Sequence, residues 1–392
     1  MPNSSAVRLL KILLNVGFLA SGIATVLIGQ VLPYLAAKFS LGDRQSGDFF
    51  ITQFSGSLLG TFLTKRFGQS GKFILASSLG CFLMALGIAL LNVNSLIFCF
   101  AGFFLNGVGI GLTRPAINML TLELSPLRAA SALNVLNFFW GVGAISSQPF
   151  VDFFSVGGSI FLPTAILSGA FFALGASIAS IPKEIEHKQF LDEENADDFD
   201  APIWTNPLAW AIALFNFVHV GFESAMGGWL KTYAGRIEAA TPTDWFPPIF
   251  LYFLFFVVGR GVAPIFLRFW SENKMLTASL LTILAGMCVL LFAGDIQTLS
   301  VGASIAGFGT SSIFPTNLSR FTNLFGASAT RRATPLFICG TLGAASTTWI
   351  IGFVSSRYQN DLRSGMSVLL ASVLILIVLQ IGLSLKKVRA EK

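Results

Sequence analysis

Charged residues are scarce in this chain. Charged residues make up 11% of its 392 residues, and only 19 are acidic. A soluble globular domain carries about 25% charged residues, so the composition excludes an ordinary water-soluble domain. The net charge is +6, but the basic residues are scattered through loops beside apolar runs. That scatter argues against a nucleic-acid-binding face, which would gather them on one surface.

Histidine and cysteine are also scarce. The two histidines, His187 and His219, stand far apart, and all four cysteines fall inside apolar runs. This pattern gives no metal-ligand spacing and no disulfide framework. A Gly-rich phosphate loop, an acid pair at a membrane face, and the charge rings or filter repeats of a channel are also missing. We therefore expect no cofactor, no metal, no enzymatic activity and no channel.

Long apolar runs are what the chain has in abundance. Hydrophobic residues make up 54% of it, Phe alone accounts for 40, and the mean hydropathy is +0.74. A helix needs about 20 apolar residues to cross a bilayer, and twelve runs reach or approach that length. We predict an all-α integral membrane protein with twelve transmembrane helices in two pseudo-symmetric six-helix bundles. The predicted crossings are residues 9–36, 46–64, 72–93, 95–122, 128–153, 158–181, 207–234, 246–267, 275–294, 297–323, 332–356 and 363–385.

The basic residues predict the orientation. With these crossings, 17 of the 25 Lys and Arg residues lie on one side, 6 on the other, and Arg114 and Arg260 within spans. Because Lys and Arg accumulate in cytoplasmic loops, both termini are expected in the cytoplasm. The short loops are typical of a bacterial cytoplasmic membrane protein, and we expect a monomer whose apolar surface contacts lipid.

An acidic segment divides the chain. Residues 182–206 hold 8 of the 19 acids and are predicted to be a solvated cytoplasmic linker. It separates an N-terminal bundle of residues 1–181 from a C-terminal bundle of residues 207–392. The halves also repeat: Asn118 closes a Gly-rich run, Asn317 closes a similar run 199 residues later, and Gly141 and Gly340 show the same shift. Parallel repeats of this kind are typical of proteins that work by alternating access.

Several motifs resemble one known family. They are GFESAMGGWLKTY in helix 7, Gly259-Arg260 in helix 8, Asn118 followed by LNVLNFFWGVGA in helix 5, and SIFPTN in helix 10. With the twelve-helix layout, they resemble the major facilitator superfamily, in its branch of fucose:proton symporters and glucose transporters. The resemblance implies a secondary active transporter, with sugar symport as the implied activity and a proton, or alternatively sodium, as the coupling ion.

The chain departs from that family at two places. The loop after helix 2 has Thr61 and Lys65 where the superfamily usually has Gly and Asp. Helix 4 has Arg114 at the position where proton symporters of this branch carry an acid, four residues before the Asn. Proton-coupled sugar uptake therefore does not transfer directly from the family to this chain.

Three ionisable residues are candidates for ion coupling. Glu223 lies in the middle of helix 7, where an ionised carboxylate is costly unless it is paired, hydrated or protonated. His219 and Asn216 are 4 and 7 residues before it, on the same helix face. Arg260 on helix 8 is a candidate partner, and a Glu–Arg pair that only locks helix packing is the structural alternative.

A sugar site needs amides to bond hydroxyls and flat rings to cover apolar sugar faces. The side chains predicted to contact substrate are Gln30, Gln53, Arg114, Asn118, Asn134, Asn137, Trp140, Asn216, Trp229 and Asn317. Gln148 lies on the same predicted stripe of helix 5. Interhelical amide bonds are the structural alternative for each amide. Because a buried guanidinium favours a carboxylate, Arg114 either forms an internal ion pair with Glu223 or Glu123, or binds an organic anion such as a sugar acid. The abundance of Phe leaves export of a hydrophobic drug or lipid as a third hypothesis.

Overall fold

A computed structural model describes residues 4–125, 129–182, 203–238, 246–325 and 333–390. The described residues are almost entirely helical and, apart from one isolated bridge between Val156 and Ser159, contain no β-structure. The helices are α1 (Ser4–Phe39), α2 (Asp43–Gln69), α3 (Phe73–Leu90), α4 (Leu96–Leu124), α5 (Ala129–Phe154), α6 (Phe161–Ala179), α7 (Pro207–Glu238), α8 (Pro248–Phe266), α9 (Glu272–Phe292), α10 (Ile296–Thr310), α11 (Ile313–Phe325), α12 (Thr334–Arg357) and α13 (Leu362–Ala390). These helices make twelve crossings, which confirms the predicted fold class.

Nine of the described helices are long and apolar enough to span a membrane by length and composition alone. α2 is not among them, and its first two turns carry Asp43, Arg44 and Asp48. Tertiary contacts explain this polarity, because Asp43 is buried against Arg236 and Ser355. The predicted start at residue 46 therefore missed the first turn of α2.

The tenth crossing is divided in two. The predicted span of residues 297–323 comprises α10, which ends at Thr310, and α11, which begins at Ile313. Pro315 contributes to the break, since a proline has no N–H to donate to the carbonyl four residues earlier, and its ring crowds that carbonyl. The carbonyl concerned belongs to Ser311.

The chain divides into two compact units. The first comprises Met1–Ser40 with Phe49–Ala196, and the second comprises Leu41–Asp48 with Asp197–Lys392. Eight residues from the loop after α1 and the first turns of α2 thus group with the second unit. The acidic linker lies outside the described residues between 183 and 202. Where description resumes, the Trp204 ring stacks on Phe321, with ring centroids 5.6 Å apart.

The two units repeat the same helix contacts. α3 packs on α4 and on α6 in the first unit, and α9 packs on α10 and on α13 in the second. A Cβ added at Gly87 would lie 2.5 Å from the Gly102 carbonyl oxygen, and one added at Gly286 would lie 2.8 Å from the Gly302 carbonyl oxygen. Gly87 and Gly286 are 199 residues apart, and Gly102 and Gly302 are 200 apart, close to the shift of 199 seen in the sequence. The close backbone approach at equivalent places supports a structural repeat.

Two helices in the second unit, α10 and α13, begin at an acidic cap. Asp295 accepts a hydrogen bond from the Thr298 N–H at 2.8 Å at the start of α10. Asp361 does the same for Ser364 at 3.0 Å before α13, and its hydrogen bonds from Ser364 hold the pKa of the Asp361 carboxyl below its ordinary value. Both are N-cap interactions that satisfy N–H groups left open by the first turn.

Candidate functional site

In the first unit, α1 and α5 run side by side in a fixed register. The Tyr34 hydroxyl lies 3.3 Å from Asp152 Oδ1, and the two residues are 118 positions apart. Gly22 packs on the backbone of Trp140 with the same separation of 118. The two contacts lie three turns apart along the helices and join residues with the same sequence separation. The register between α1 and α5 is therefore constant over this stretch.

This register brings two predicted amides to one level. Gln30 and Gln148 each lie one turn before the Tyr34–Asp152 contact and so occupy facing positions on α1 and α5. Gln30 is 1% and Gln148 9% exposed. Among the described residues, neither side-chain atom of Gln30 has a hydrogen-bond partner, nor does Oε1 of Gln148. Buried amides without partners are costly, so this seam is built for a polar occupant or water.

A second amide pair lies on α2 and α4. Asn106 Nδ2 donates to Gln53 Oε1 at 3.3 Å and lies 3.4 Å from the Ala24 carbonyl oxygen, while Gln53 Nε2 lies 3.5 Å from the Thr25 carbonyl. Both residues are 1% exposed. Gln53 was predicted from the sequence, but Asn106 was missed. Its position directly before Gly107, on the small-residue face of α4, was the available signal.

Arg114 lies over the ring of Trp140. Its Cζ is 5.4 Å from the ring centroid, a cation–π geometry. Arg114 is half-buried, as is Asn118 one turn along α4. The structure therefore brings Arg114 and Trp140 together, and the register places Trp140 two turns before Gln148 on α5.

Asn134 and Asn137 lie in the first turns of α5 and are exposed. Asn137 Nδ2 donates to the Leu133 carbonyl of its own helix at 2.9 Å. These two amides are not brought to the level of Gln30 and Gln148, because they precede Gln148 by three to four turns.

In the second unit, Glu223 is the centre of a polar cluster. Its Oε2 lies 3.6 Å from His219 Nε2, and the side chain of Glu223 is 21% exposed while that of His219 is 1% exposed. Arg260 and Tyr252, both on α8, interact electrostatically with Glu223. The structure thus brings together all three predicted coupling residues and adds Tyr252, which the sequence did not indicate.

Three predicted substrate contacts in the second unit each hydrogen-bond a backbone carbonyl of another helix. Trp229 Nε1 donates to the Thr348 carbonyl at 2.8 Å, and Asn216 Nδ2 donates to the Leu336 carbonyl at 2.9 Å. Asn317 Nδ2 lies 3.4 Å from the Ile212 carbonyl. All three are at most 1% exposed. These bonds join α7 to α11 and α12, while Oδ1 of Asn216 and Oδ1 of Asn317 have no hydrogen-bond partner among the described residues.

A sequence profile described as Major Facilitator Superfamily matches residues 14–336. The chain belongs to this superfamily. Its members are transporters and not enzymes, in agreement with the prediction of no enzymatic activity. No cluster of three His, Cys, Asp or Glu suited to a metal occurs in the part of the chain that the structure describes.

Two curated proteins illustrate the superfamily relationship. Bypass of stop codon protein 6 of Saccharomyces cerevisiae is 24% identical over 58% of this chain and 50% of its own length. Sodium-dependent glucose transporter 1 of Xenopus laevis is 26% identical over 63% of this chain and 48% of its own length. The matches thus span about half the length of these curated relatives.

Solved superfamily structures share the fold. A nucleoside transporter, NupG, gives a TM-score of 0.74 at 13% identity, covering 96% of this chain and 98% of its own. The E. coli fucose:proton symporter gives 0.61 at 18% identity, covering 98% and 99%. The resemblance to the major facilitator superfamily is therefore confirmed, and the chain shares its fold with the fucose:proton symporter.

Proposed function

We propose that this superfamily member is a secondary active transporter that moves a small polar solute, a sugar, across the cytoplasmic membrane. Both termini face the cytoplasm, and transport proceeds by alternating access through movement of residues 1–181 against residues 207–392. The repeated helix contacts of the two units and the basic loops support this assignment.

The facing amides of Gln30 and Gln148 carry the proposal. Three of their amide atoms, Nε2 and Oε1 of Gln30 and Oε1 of Gln148, are buried without partners on a helix seam, where a ligand or water can satisfy them. Amides both donate and accept, as sugar hydroxyls do. The Trp140 ring lies on the same helix and offers a flat face for the apolar side of a sugar. Gln53 and Asn118 are the further contacts from α2 and α4.

Counterflow of labelled solutes into proteoliposomes tests the substrate. We expect exchange of labelled hexoses in the wild type, and a large loss in Gln30→Leu, because a leucine at Gln30 cannot bond a hydroxyl. Removing a hydrogen bond that a substrate makes with a buried group costs about tenfold or more in affinity. Gln380→Leu is the matched control, since Gln380 is equally buried but bonded to Arg320. Equal hexose exchange in Gln30→Leu and wild type would refute the sugar site.

A sugar acid is the second candidate, favoured by the Arg114 guanidinium over Trp140. A guanidinium fork binds a carboxylate through two parallel hydrogen bonds. The same counterflow assay separates the candidates when labelled sugar acids are added. Exchange of acids but not hexoses, lost in Arg114→Gln, would replace the first candidate by the second.

Glu223 is the proposed coupling residue, and the proton is the proposed ion. A half-buried carboxylate can exchange a proton, whereas a hard metal cation needs several oxygen ligands. We expect accumulation that collapses with an uncoupler and in Glu223→Gln, while Glu223→Gln still exchanges solute in counterflow. Concentrative uptake that survives Glu223→Gln, or that follows a sodium gradient, would remove this assignment.

A further inference from the structure

The fourth crossing of each unit contains a proline, and this proline leaves one backbone carbonyl of its helix without an N–H donor. In the first unit, Pro115 leaves the Gly111 carbonyl without its helical donor, and the Thr64 hydroxyl of α2 lies 3.0 Å from that oxygen. The same hydroxyl lies 3.0 Å from the Gly60 carbonyl of its own helix. α4 stays continuous through this point.

In the second unit, the group that takes the place of the Thr64 hydroxyl is the guanidinium of Arg260. Pro315 leaves the Ser311 carbonyl without its helical donor, and Nε of Arg260 on α8 lies 3.4 Å from that oxygen. Here the helix separates into α10 and α11. A donor–acceptor distance of 3.4 Å is long for an N–H···O hydrogen bond, so this contact is weak. Small movements of the guanidinium would strengthen or break it.

Arg260 is held from two other directions. Its Cζ lies 4.2 Å from the Phe256 ring centroid, and Glu223 attracts it electrostatically. His219 and Tyr252 are the remaining titratable groups near the carboxylate. The guanidinium is therefore shared between a carboxylate on α7 and the backbone at the break.

The break has room to move. A cavity of about 120 Å³ borders it, lined by Gly259, Ser279, Ser311 and Ser312 among others. The Ser279 and Ser312 hydroxyls are 2.9 Å apart. The serine hydroxyls beside this cavity give backbone groups at the break alternative hydrogen-bond partners.

We propose that Arg260 is a positioning residue that transmits the charge state of Glu223 to the break between α10 and α11. When Glu223 is ionised, the carboxylate draws the guanidinium toward α7 and the Ser311 carbonyl is loosely held. When Glu223 is neutral, that attraction is lost, and the guanidinium bonds Ser311 more tightly. The inference rests on the proposed function in one respect, that Glu223 is the residue whose charge changes during transport.

Hydrogen exchange of the full chain in lipid nanodiscs tests the proposal. In Glu223→Gln, amides of residues 311–318 are expected to exchange about fivefold more slowly than in the wild type, the factor that one hydrogen bond gives. In Arg260→Gln, the same amides exchange faster, and adding Glu223→Gln has no further effect. Arg260→Lys keeps the charge, so it is expected to keep a response to Glu223→Gln, and it serves if Arg260→Gln fails to fold.

Thr64→Val is the matched control. It removes the hydroxyl beside the other freed carbonyl, so it changes exchange only around residues 111–118, with no dependence on Glu223. A response of residues 311–318 to Glu223→Gln that persists in Arg260→Gln would overturn the proposal, as would the absence of any response in an Arg260-containing chain.

Uptake measured on the same variants separates this inference from the proposed function. Slowed exchange in Glu223→Gln with concentrative uptake intact would refute Glu223 as the coupling residue and leave the Arg260 link standing. Lost uptake with unchanged exchange would refute the link and leave the coupling assignment standing.

Discussion

At the scale of single residues, burial decides which polar side chains are available for function. Trp229 and Trp210 both donate an indole N–H to a backbone carbonyl, at 2.8 and 2.7 Å. Trp229 is fully buried, whereas Trp210 is 50% exposed. In the buried case no water can replace the lost partner, so the bond belongs to the fold rather than to a substrate.

Replacing each tryptophan by phenylalanine tests this difference. Trp229→Phe removes a buried hydrogen bond to the Thr348 carbonyl, which keeps its donor within α12, and is expected to lower the free energy of unfolding by about 0.5–1.5 kcal/mol. Trp210→Phe exposes its carbonyl partner to water and should cost less. Thermal unfolding of the purified protein measures both, and equal losses would show that burial does not separate the two bonds.

At the scale of helices, small residues set how closely neighbours approach. A Cβ at Gly87 would lie 2.6 Å from the backbone nitrogen of Asn106, and one at Gly286 would lie 2.5 Å from that of Ala306. Backbone atoms of a packed helix cannot move away from an added Cβ as the end of a flexible side chain can. The α3–α4 and α9–α10 seams therefore tolerate no side chain at these two glycines.

Gly87→Ala and Gly286→Ala are each expected to destabilise the protein by about 1–3 kcal/mol through overpacking. Gly169→Ala in α6 is the matched control, because no atom lies within 4 Å of an added Cβ there. Unfolding in detergent followed by tryptophan fluorescence measures the shifts. Wild-type stability in both seam variants would mean that the helices separate at little cost.

The helices also show what the sequence can and cannot reveal. Apolar run lengths predicted the crossings because crossing a bilayer requires about 20 residues. Run length does not specify the break at Ser311, because Pro115 and Pro315 lie in equivalent helices, yet only α10 and α11 separate. Gln30 and Glu223 could be proposed from the sequence because polar groups are rare in such spans. Asn106 and Tyr252 were missed because their partners lie on other helices, whose facing sides run length does not specify.

At the scale of the whole molecule, residues 41–48 are the segment whose grouping departs from chain order. Asp43 is buried at 4% exposure in the second unit. Arg236 holds its carboxylate and also donates to the Asn360 carbonyl at 2.7 Å. Trp349 Nε1 donates to Asp48 at 2.9 Å. The segment is docked by a charge-assisted network, and hydrogen bonds to charged groups are stronger than neutral ones.

Loss of Arg236 is expected to release this segment. Ser46 is 2% exposed, so a cysteine placed there should react slowly with a membrane-impermeant maleimide. In Arg236→Gln the buried Asp43 loses its charged partner, and labelling of Ser46→Cys should speed up by about tenfold, as the loss of a charged hydrogen bond implies. The chain without Ser46→Cys gives the background from the exposed Cys288. Arg357→Gln is the control, because Arg357 lies over Phe353 at 5.2 Å, and its loss should leave labelling unchanged. Equal rates in Arg236→Gln and Arg357→Gln would show that the Asp43 ion pair does not hold the segment, and that the contacts of Gly47 and Asp48 with Trp349 are sufficient to dock it.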